Sequence, residues 1–232
     1  MDTPVPKKLR ILAAVLTVPA AVILCWAVWG YRSQLPDPFW VVLLFLALVT
    51  APVAIFIRTA ETIVPMDEMY LMAIAMISGP ATCIIATAIC SFFLLLLARM
   101  PKGAFLVSFS SMICNAFLYS MAFHLTAPAD ASGIGALVLP AVILAFVSFL
   151  FTSFLATMVV SWRLGKRLSW AKMYIPLSLN SFIAAGAAAF IASWSKDNLW
   201  IPLAFAPVVF LIWWWTRLHK ARLERVTIPS KA

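Results

Sequence analysis

The sequence predicts an all-α fold, a polytopic integral membrane helical bundle with about eight spans. Of the 232 residues, 65% are hydrophobic and only 11% are charged, which is far fewer charges than a soluble domain carries. The mean hydropathy is +1.04. Several apolar runs approach or exceed the length of about 20 residues that crosses a hydrocarbon core. These runs are continuous rather than alternating, so a transmembrane β-barrel is not predicted.

The apolar segments form one transmembrane domain, residues 1–232, with a cytoplasmic tail at 217–232. The first run follows a basic N-terminus and ends in Trp26 and Trp29, which do not suit a signal-peptide cleavage site, so we predict a retained span. Short connections join the remaining runs, and no linker or second domain is predicted. The predicted spans are residues 10–29, 39–57, 64–78, 81–98, 103–125, 134–161, 173–194 and 199–216.

The pair Gly79-Pro80 decides the topology. Proline disfavours helix in the residue before it and glycine tolerates a turn, so a short helical hairpin is predicted here. With two spans and both termini inside, 15 of the 17 basic residues lie on the inner side, whereas a single kinked span would place twelve outside. The span 64–78 would reach only about 22 Å. We therefore expect a submerged hairpin tip that is covered by protein or faces a water-filled cavity.

Five ionisable residues are predicted at the membrane edge. Asp67 and Glu68 begin the third span, where carboxylates interact favourably with the helix N-terminus. We expect them to cap this helix, with Arg58 pairing to Asp67 or to Glu61; binding of an ion or ligand is the alternative. His124, at the outer end of the fifth span, is predicted to be a hydrogen-bonding residue, with pH sensing or ligand binding as the alternative.

Polar side chains inside the spans are the candidate ligand-binding or coupling residues, together with the glycine–proline turn. Asn115 and Tyr119 lie in the fifth span, and Asn180 and Ser181 lie in the seventh. Buried amides need partners, so contacts between helices are predicted, and the lining of a ligand cavity is the alternative. No catalytic residue, metal site or cofactor is predicted, because the four cysteines form no CxxC pair and no P-loop, HExxH or GxSxG motif is present. The chain is not predicted to be an enzyme.

Several diffuse motifs follow one another in order. The glycine–proline hairpin is followed by ICNAFLYSMAF in the fifth span, the basic loop WRLGKRLSW after the sixth, and the exit sequence WWWTRLHKARLERV. With these motifs the chain resembles the multispanning sensor modules at the N-terminus of bacterial GGDEF, HD-GYP and histidine kinase proteins, over roughly residues 38–226. It departs from them at Thr152 and Ser153, where an asparagine is expected. A second departure is that no catalytic output domain follows before Ala232, and we expect either a free-standing relative or the membrane half of a longer protein.

The resemblance implies a membrane-embedded sensory or regulatory module. It would bind a small ligand or sense the state of the membrane, and signal to a cytoplasmic partner or output domain through residues 216–226. The alternative is a small-molecule transporter, or the substrate-binding membrane subunit of one, because transporters use broken helices and buried polar groups. The expected partners are the lipid bilayer and further copies of the chain. Nucleic acid is not expected, since the basic residues collect on the cytoplasmic side of a bacterial inner membrane.

Overall fold

Helices and one small β-hairpin form the structure, which is a computed structural model. It describes residues 7–33, 38–51, 54–57, 62–65, 67–97, 102–128, 133–164, 170–194, 198, 200–205, 207, 210, 211 and 214. The helices are α1 (Lys7–Ser33), α2 (Phe39–Thr50), α3 (Glu68–Leu97), α4 (Lys102–Thr126), α5 (Ile134–Leu164) and α6 (Trp170–Trp194). The strands are β1 (Ala54–Ile57) and β2 (Thr62–Pro65). Residues 200–205 form a further helical segment.

Four helices in the described part of the chain are long and apolar enough to cross a membrane, which fits contact with a lipid bilayer. Their apolar segments are Ile11–Arg32, Glu68–Leu97, Ala104–Thr126 and Ile134–Val159. The predicted helical bundle is confirmed at this level. The count of eight spans and the inside position of the termini stay predictions. The last predicted span, 199–216, is described only in part, and the tail 217–232 lies outside the described residues.

The β-hairpin connects α2 to α3. Its strands are antiparallel, with Ala54 opposite Pro65 and Ile57 opposite Thr62. Both strands contain β-branched residues, which suit an extended backbone. β2 also contacts α6, so the hairpin is packed against the helices.

Two predicted spans are corrected by this hairpin. The span 39–57 is wrong at its C-terminal end, because α2 ends at Thr50 and β1 follows. Pro52 supplies a reason in the sequence, since proline has no amide hydrogen and disfavours helix before it. The span 64–78 begins too early, because β2 precedes α3 and the helix starts at Glu68. At about 1.5 Å per residue, α2 is only about 18 Å long.

The first arm of α3, residues 68–78, is surrounded by protein over most of its length. Every side chain from Met69 to Ala75 is buried, on all sides of the helix. A helix that is apolar all round is expected in the centre of a bundle rather than on its surface. The Asp67 carbonyl begins this arm by accepting hydrogen bonds from the amides of Tyr70 and Leu71, at 3.0 and 3.2 Å.

The chain folds back at Gly79, which separates the first arm from a second arm at residues 80–97. Gly79 has φ 87° and ψ 172°, a backbone conformation far from helical, and Pro80 follows it. Cys83 Sγ lies 3.4 Å from the Leu71 carbonyl oxygen. In a straight helix these residues would be about 18 Å apart along the axis, so the two arms must lie side by side. This geometry agrees with the predicted hairpin at Gly79-Pro80.

The helical hairpin occupies the centre of the described bundle. α3 contacts α1, α2, α4 and α6, while α4 also contacts α1 and α5, and α5 packs along α6. One large cluster of buried apolar residues runs through these helices. α4 and α6 therefore flank α3, and α5 packs against both of them and reaches the start of α3 through a side-chain contact, which creates the site described next.

Candidate functional site

A hydrogen-bonded polar cluster joins four helices inside the bundle. Glu68 of α3 accepts a hydrogen bond on each carboxylate oxygen: Ser148 Oγ of α5 donates to Oε1 over 3.0 Å, and Asn180 Nδ2 of α6 donates to Oε2 over 2.8 Å. Asn115 Nδ2 of α4 donates to Ser148 Oγ over 3.1 Å. We call these four residues the Glu68 cluster. The structure thus brings together the two asparagines that the sequence singled out.

The Glu68 cluster lies deep in the bundle. Asn115, Ser148 and Asn180 are each at least ten residues from both ends of their helices. At 1.5 Å per residue this corresponds to about 15 Å or more from either end. Glu68 is therefore level with the middles of α4, α5 and α6, and this differs from its predicted position at a membrane edge.

The short elements before α3 explain this depth. The chain leaves α2 after about 18 Å and turns through the β-hairpin, so α3 begins inside the bundle rather than at its rim. The backbone carbonyl of Asp67 accepts the first hydrogen bonds of α3, and the predicted capping by its carboxylate stays a prediction. Arg58 and Glu61, the other residues predicted for this edge, lie outside the described residues.

The described hydrogen-bond donors to the Glu68 carboxylate carry no charge. They are the hydroxyl of Ser148 and the amide of Asn180. Asp67, which is only 7% exposed, stands beside Glu68 at the start of α3. An ionised carboxylate without a counter-charge is costly in a low-dielectric interior, so a proton or a bound cation would stabilise this pair of carboxyl groups.

One acceptor in the cluster is unused. Asn115 Oδ1 is buried and has no hydrogen-bond partner among the residues described. Buried polar atoms are nearly always paired, so an orphaned acceptor indicates a place where a donor can bind. The other buried orphan, Ser78 Oγ, lies at the tip of the helical hairpin, at the far end of the first arm.

Tyr119 and Ser181 belong to the surroundings of the site. The Tyr119 hydroxyl lies 3.3 Å from Cys83 Sγ, so it joins α4 to the second arm of α3. Tyr119 is 3% exposed, and its contact with Cys83 gives it a structural role between the two helices. Ser181 follows Asn180 in α6 and is also buried.

His124 forms a hydrogen bond with the backbone of α3 close to the break at Gly79. Its Nε2 lies 3.0 Å from the Ala75 carbonyl oxygen. Ala75 is four residues before Gly79, and because Gly79 leaves the helical conformation, carbonyls at the end of the first arm lose their helical partners. The imidazole donates a hydrogen bond to one of them. This contact agrees with the prediction of His124 as a hydrogen-bonding residue.

Ser148 is the member of the cluster that sequence reasoning missed. A single serine within the apolar run of α5 usually hydrogen-bonds to a carbonyl of its own helix. Its partner here is 80 residues away in the chain. The available signal was its position, a polar residue near the middle of the longest apolar run, where intramembrane polar groups need partners on other helices.

Comparisons with protein-family models, with curated proteins and with solved structures find no match for this chain. Neither a family nor a related fold therefore indicates the function. The fold and site define a class only: a helical bundle with four helices apolar enough to span a membrane and a polar cluster in its interior. Function has to be argued from the site itself.

Proposed function

We propose that this protein binds a small polar molecule at the Glu68 cluster and carries it across a membrane, as a transporter or as the substrate-binding membrane subunit of one. The observation that carries the proposal is the Glu68 carboxylate, held inside the bundle by neutral donors from two other helices. Ionisable residues within a membrane are costly and mark substrate or ion pathways. Glu68 is a candidate for such a residue, since it lies level with the middles of three helices.

The backbone around Glu68 supports the same function. Transporter sites are typically built where helices are interrupted, near the middle of the bilayer. Here α3 begins beside the β-hairpin and folds back at Gly79, so non-helical backbone flanks both ends of the first arm. Such backbone is tolerated at membrane depth only where protein covers it or water reaches it.

Ligand binding at this site would change the packing of the helices. A ligand that binds at the free positions of Glu68 weakens its hydrogen bonds to Ser148 and Asn180, and thus loosens α3 from α5 and α6. A ligand shifts a conformational equilibrium only through different affinities for the two states. The Glu68 contacts provide such a difference, since they are present in one packing and absent in the other.

Sensing is the second candidate, and the bond from Asn180 to Glu68 favours it specifically. α6 carries Asn180 and precedes residues 216–226, the part predicted to reach a cytoplasmic partner. A ligand that breaks this bond would move α6 and signal without transport. The distribution of positive charges favours both termini inside, and we keep this orientation as part of the proposal, together with the bacterial inner membrane that the resemblance implies.

Reconstituted uptake tests the proposal. The purified full chain in proteoliposomes is incubated with an isotope-labelled mixture of small polar metabolites, and the retained solutes are identified by mass spectrometry. We expect at least one solute to accumulate above protein-free liposomes and to be lost in Glu68→Gln. Thr17→Val is the matched control, because the Thr17 hydroxyl bonds to the Ala13 carbonyl within α1 and lies outside the Glu68 cluster.

The outcomes separate the two candidates. Uptake that is equal in wild type and Glu68→Gln would refute transport through this site. A solute that binds the purified protein in a Glu68-dependent way without accumulating in the vesicles would refute transport and favour sensing.

A further inference from the structure

We infer that the ligand of the Glu68 cluster carries a primary ammonium group. This inference rests on the proposed binding of a small molecule at the cluster, and it assigns the chemical class of that molecule. The unused hydrogen-bonding groups, the charge of the site and the number of its ligand atoms lead to the same class.

The cluster leaves several acceptor positions unused. An ionised carboxylate can accept about four hydrogen bonds, and Glu68 receives one on each oxygen. Asn115 Oδ1 receives none from the described residues. The Ser148 hydroxyl already donates within the cluster, and each asparagine amide uses one of its two N–H donors there. A ligand that fills the free positions on Glu68 and Asn115 Oδ1 must therefore supply donors.

The charge of the site selects a cation among the donors. Asp67 and Glu68 are adjacent, and the two described donors to Glu68 are neutral. An anionic ligand would be repelled at this short range, and a neutral ligand would leave the carboxylate charges as they are. A cationic donor fills the acceptor positions and also offsets one of the two negative charges.

The number of ligand atoms favours an ammonium group over a metal ion. Hard metal ions such as Ca²⁺ take six or more oxygen ligands, and within the described ranges no group of three or more His, Cys, Asp or Glu side chains could hold a metal. A primary ammonium carries three donors. These match the free positions on Glu68 and Asn115 Oδ1, whereas the five donors of a guanidinium exceed them.

Binding of simple ions to the purified full-length protein tests the inference. The probe is n-propylammonium, and its comparison compounds are tetramethylammonium, sodium, n-propanol and propionate. The shift of the thermal unfolding midpoint in detergent and titration calorimetry provide the readouts. We expect a saturable stabilisation by n-propylammonium only, because tetramethylammonium has the charge without N–H donors and n-propanol has a donor without the charge.

Variants assign the effect to the cluster. Glu68→Gln should abolish the response, Asn115→Ala should weaken affinity by about tenfold, equivalent to about 1.4 kcal/mol, and Thr17→Val should leave it unchanged. If Glu68→Gln does not fold, the Asn115→Ala variant decides whether n-propylammonium binds at the cluster. No response in wild type, an equal response to tetramethylammonium or sodium, or an unchanged response in both cluster variants would overturn the inference.

The failure of this inference differs from the failure of the proposed function. Glu68-dependent uptake of a neutral solute, with no response to n-propylammonium, would overturn the ammonium class and leave transport standing. Binding of n-propylammonium at Glu68 without uptake of any solute would overturn transport and leave the ammonium class standing.

Discussion

Replacement of Gly79 by alanine should destabilise the protein through the backbone alone. Gly79 has φ 87° and ψ 172°, a region that only glycine readily adopts. A Cβ added there meets no atom within 4 Å, so crowding contributes nothing to the cost. Holding alanine in this conformation costs about 1–3 kcal/mol. We expect Gly79→Ala to lower the free energy of unfolding by this amount.

Gly186→Ala is the matched control. Gly186 is in α6, and a Cβ added there also meets no atom within 4 Å, but its backbone is helical. Alanine is preferred over glycine in a helix by about 1 kcal/mol. The two variants should therefore differ by about 2–4 kcal/mol, although both add one methyl group to open space.

Reversible unfolding in mixed micelles measures this difference. Increasing amounts of sodium dodecyl sulfate unfold the purified protein, and the fluorescence of its 10 tryptophans reports the transition. Equal stability of Gly79→Ala and wild type would show that residue 79 does not hold the left-handed conformation. A loss in Gly186→Ala as large as that in Gly79→Ala would show that the added methyl group, rather than φ, is responsible.

Two further variants test the polar contacts. Ser148→Ala should lower the free energy of unfolding by about 1–3 kcal/mol in the same micelle assay, because it leaves Glu68 Oε1 without its donor inside the bundle. His124→Ala should lower it by about 1 kcal/mol, because it removes the donor to the Ala75 carbonyl, and hydrogen exchange should become faster in the first arm near the break.

Thr17→Val serves as the control for the serine variant, because the Thr17 hydroxyl bonds to the Ala13 carbonyl and lies 3.3 Å from Ser110 Oγ of α4, so this variant also removes a hydroxyl between two helices but leaves the Glu68 cluster intact. A Ser148→Ala protein as stable as Thr17→Val would contradict the contribution of this contact. For the histidine variant, an exchange increase spread evenly over all helices would contradict a local cap at Ala75.

The fold-back at Gly79-Pro80 could be predicted because two independent signals coincide there. The backbone preferences of glycine and proline are local, and the distribution of Lys and Arg needs only the order of the spans. The helices α1, α4 and α5 could be predicted equally well, since a long continuous apolar run has few structural alternatives to a membrane-length helix.

The β-hairpin and the depth of Glu68 could not be predicted in the same way. The sequence AIFI in β1 is short and apolar, and such a run suits the end of a helix as well as a strand. Its assignment to a helix lengthened the second span and moved Glu68 to the membrane edge. The cluster itself depends on contacts between residues 80 and 112 positions apart, which no local pattern encodes.

The separation between Glu68 and Asn180 has a consequence for the biogenesis of the protein. Asn180 is made 112 residues after Glu68. At about 5–20 residues per second, a ribosome needs roughly 6–22 s to cover this distance. During that interval the newly made carboxylate lacks its donor from α6, and α4 and α5 become available to the short first arm only one after the other. The bundle thus acquires its polar centre only when its last long described helix docks, so the order of synthesis makes the site the final product of assembly.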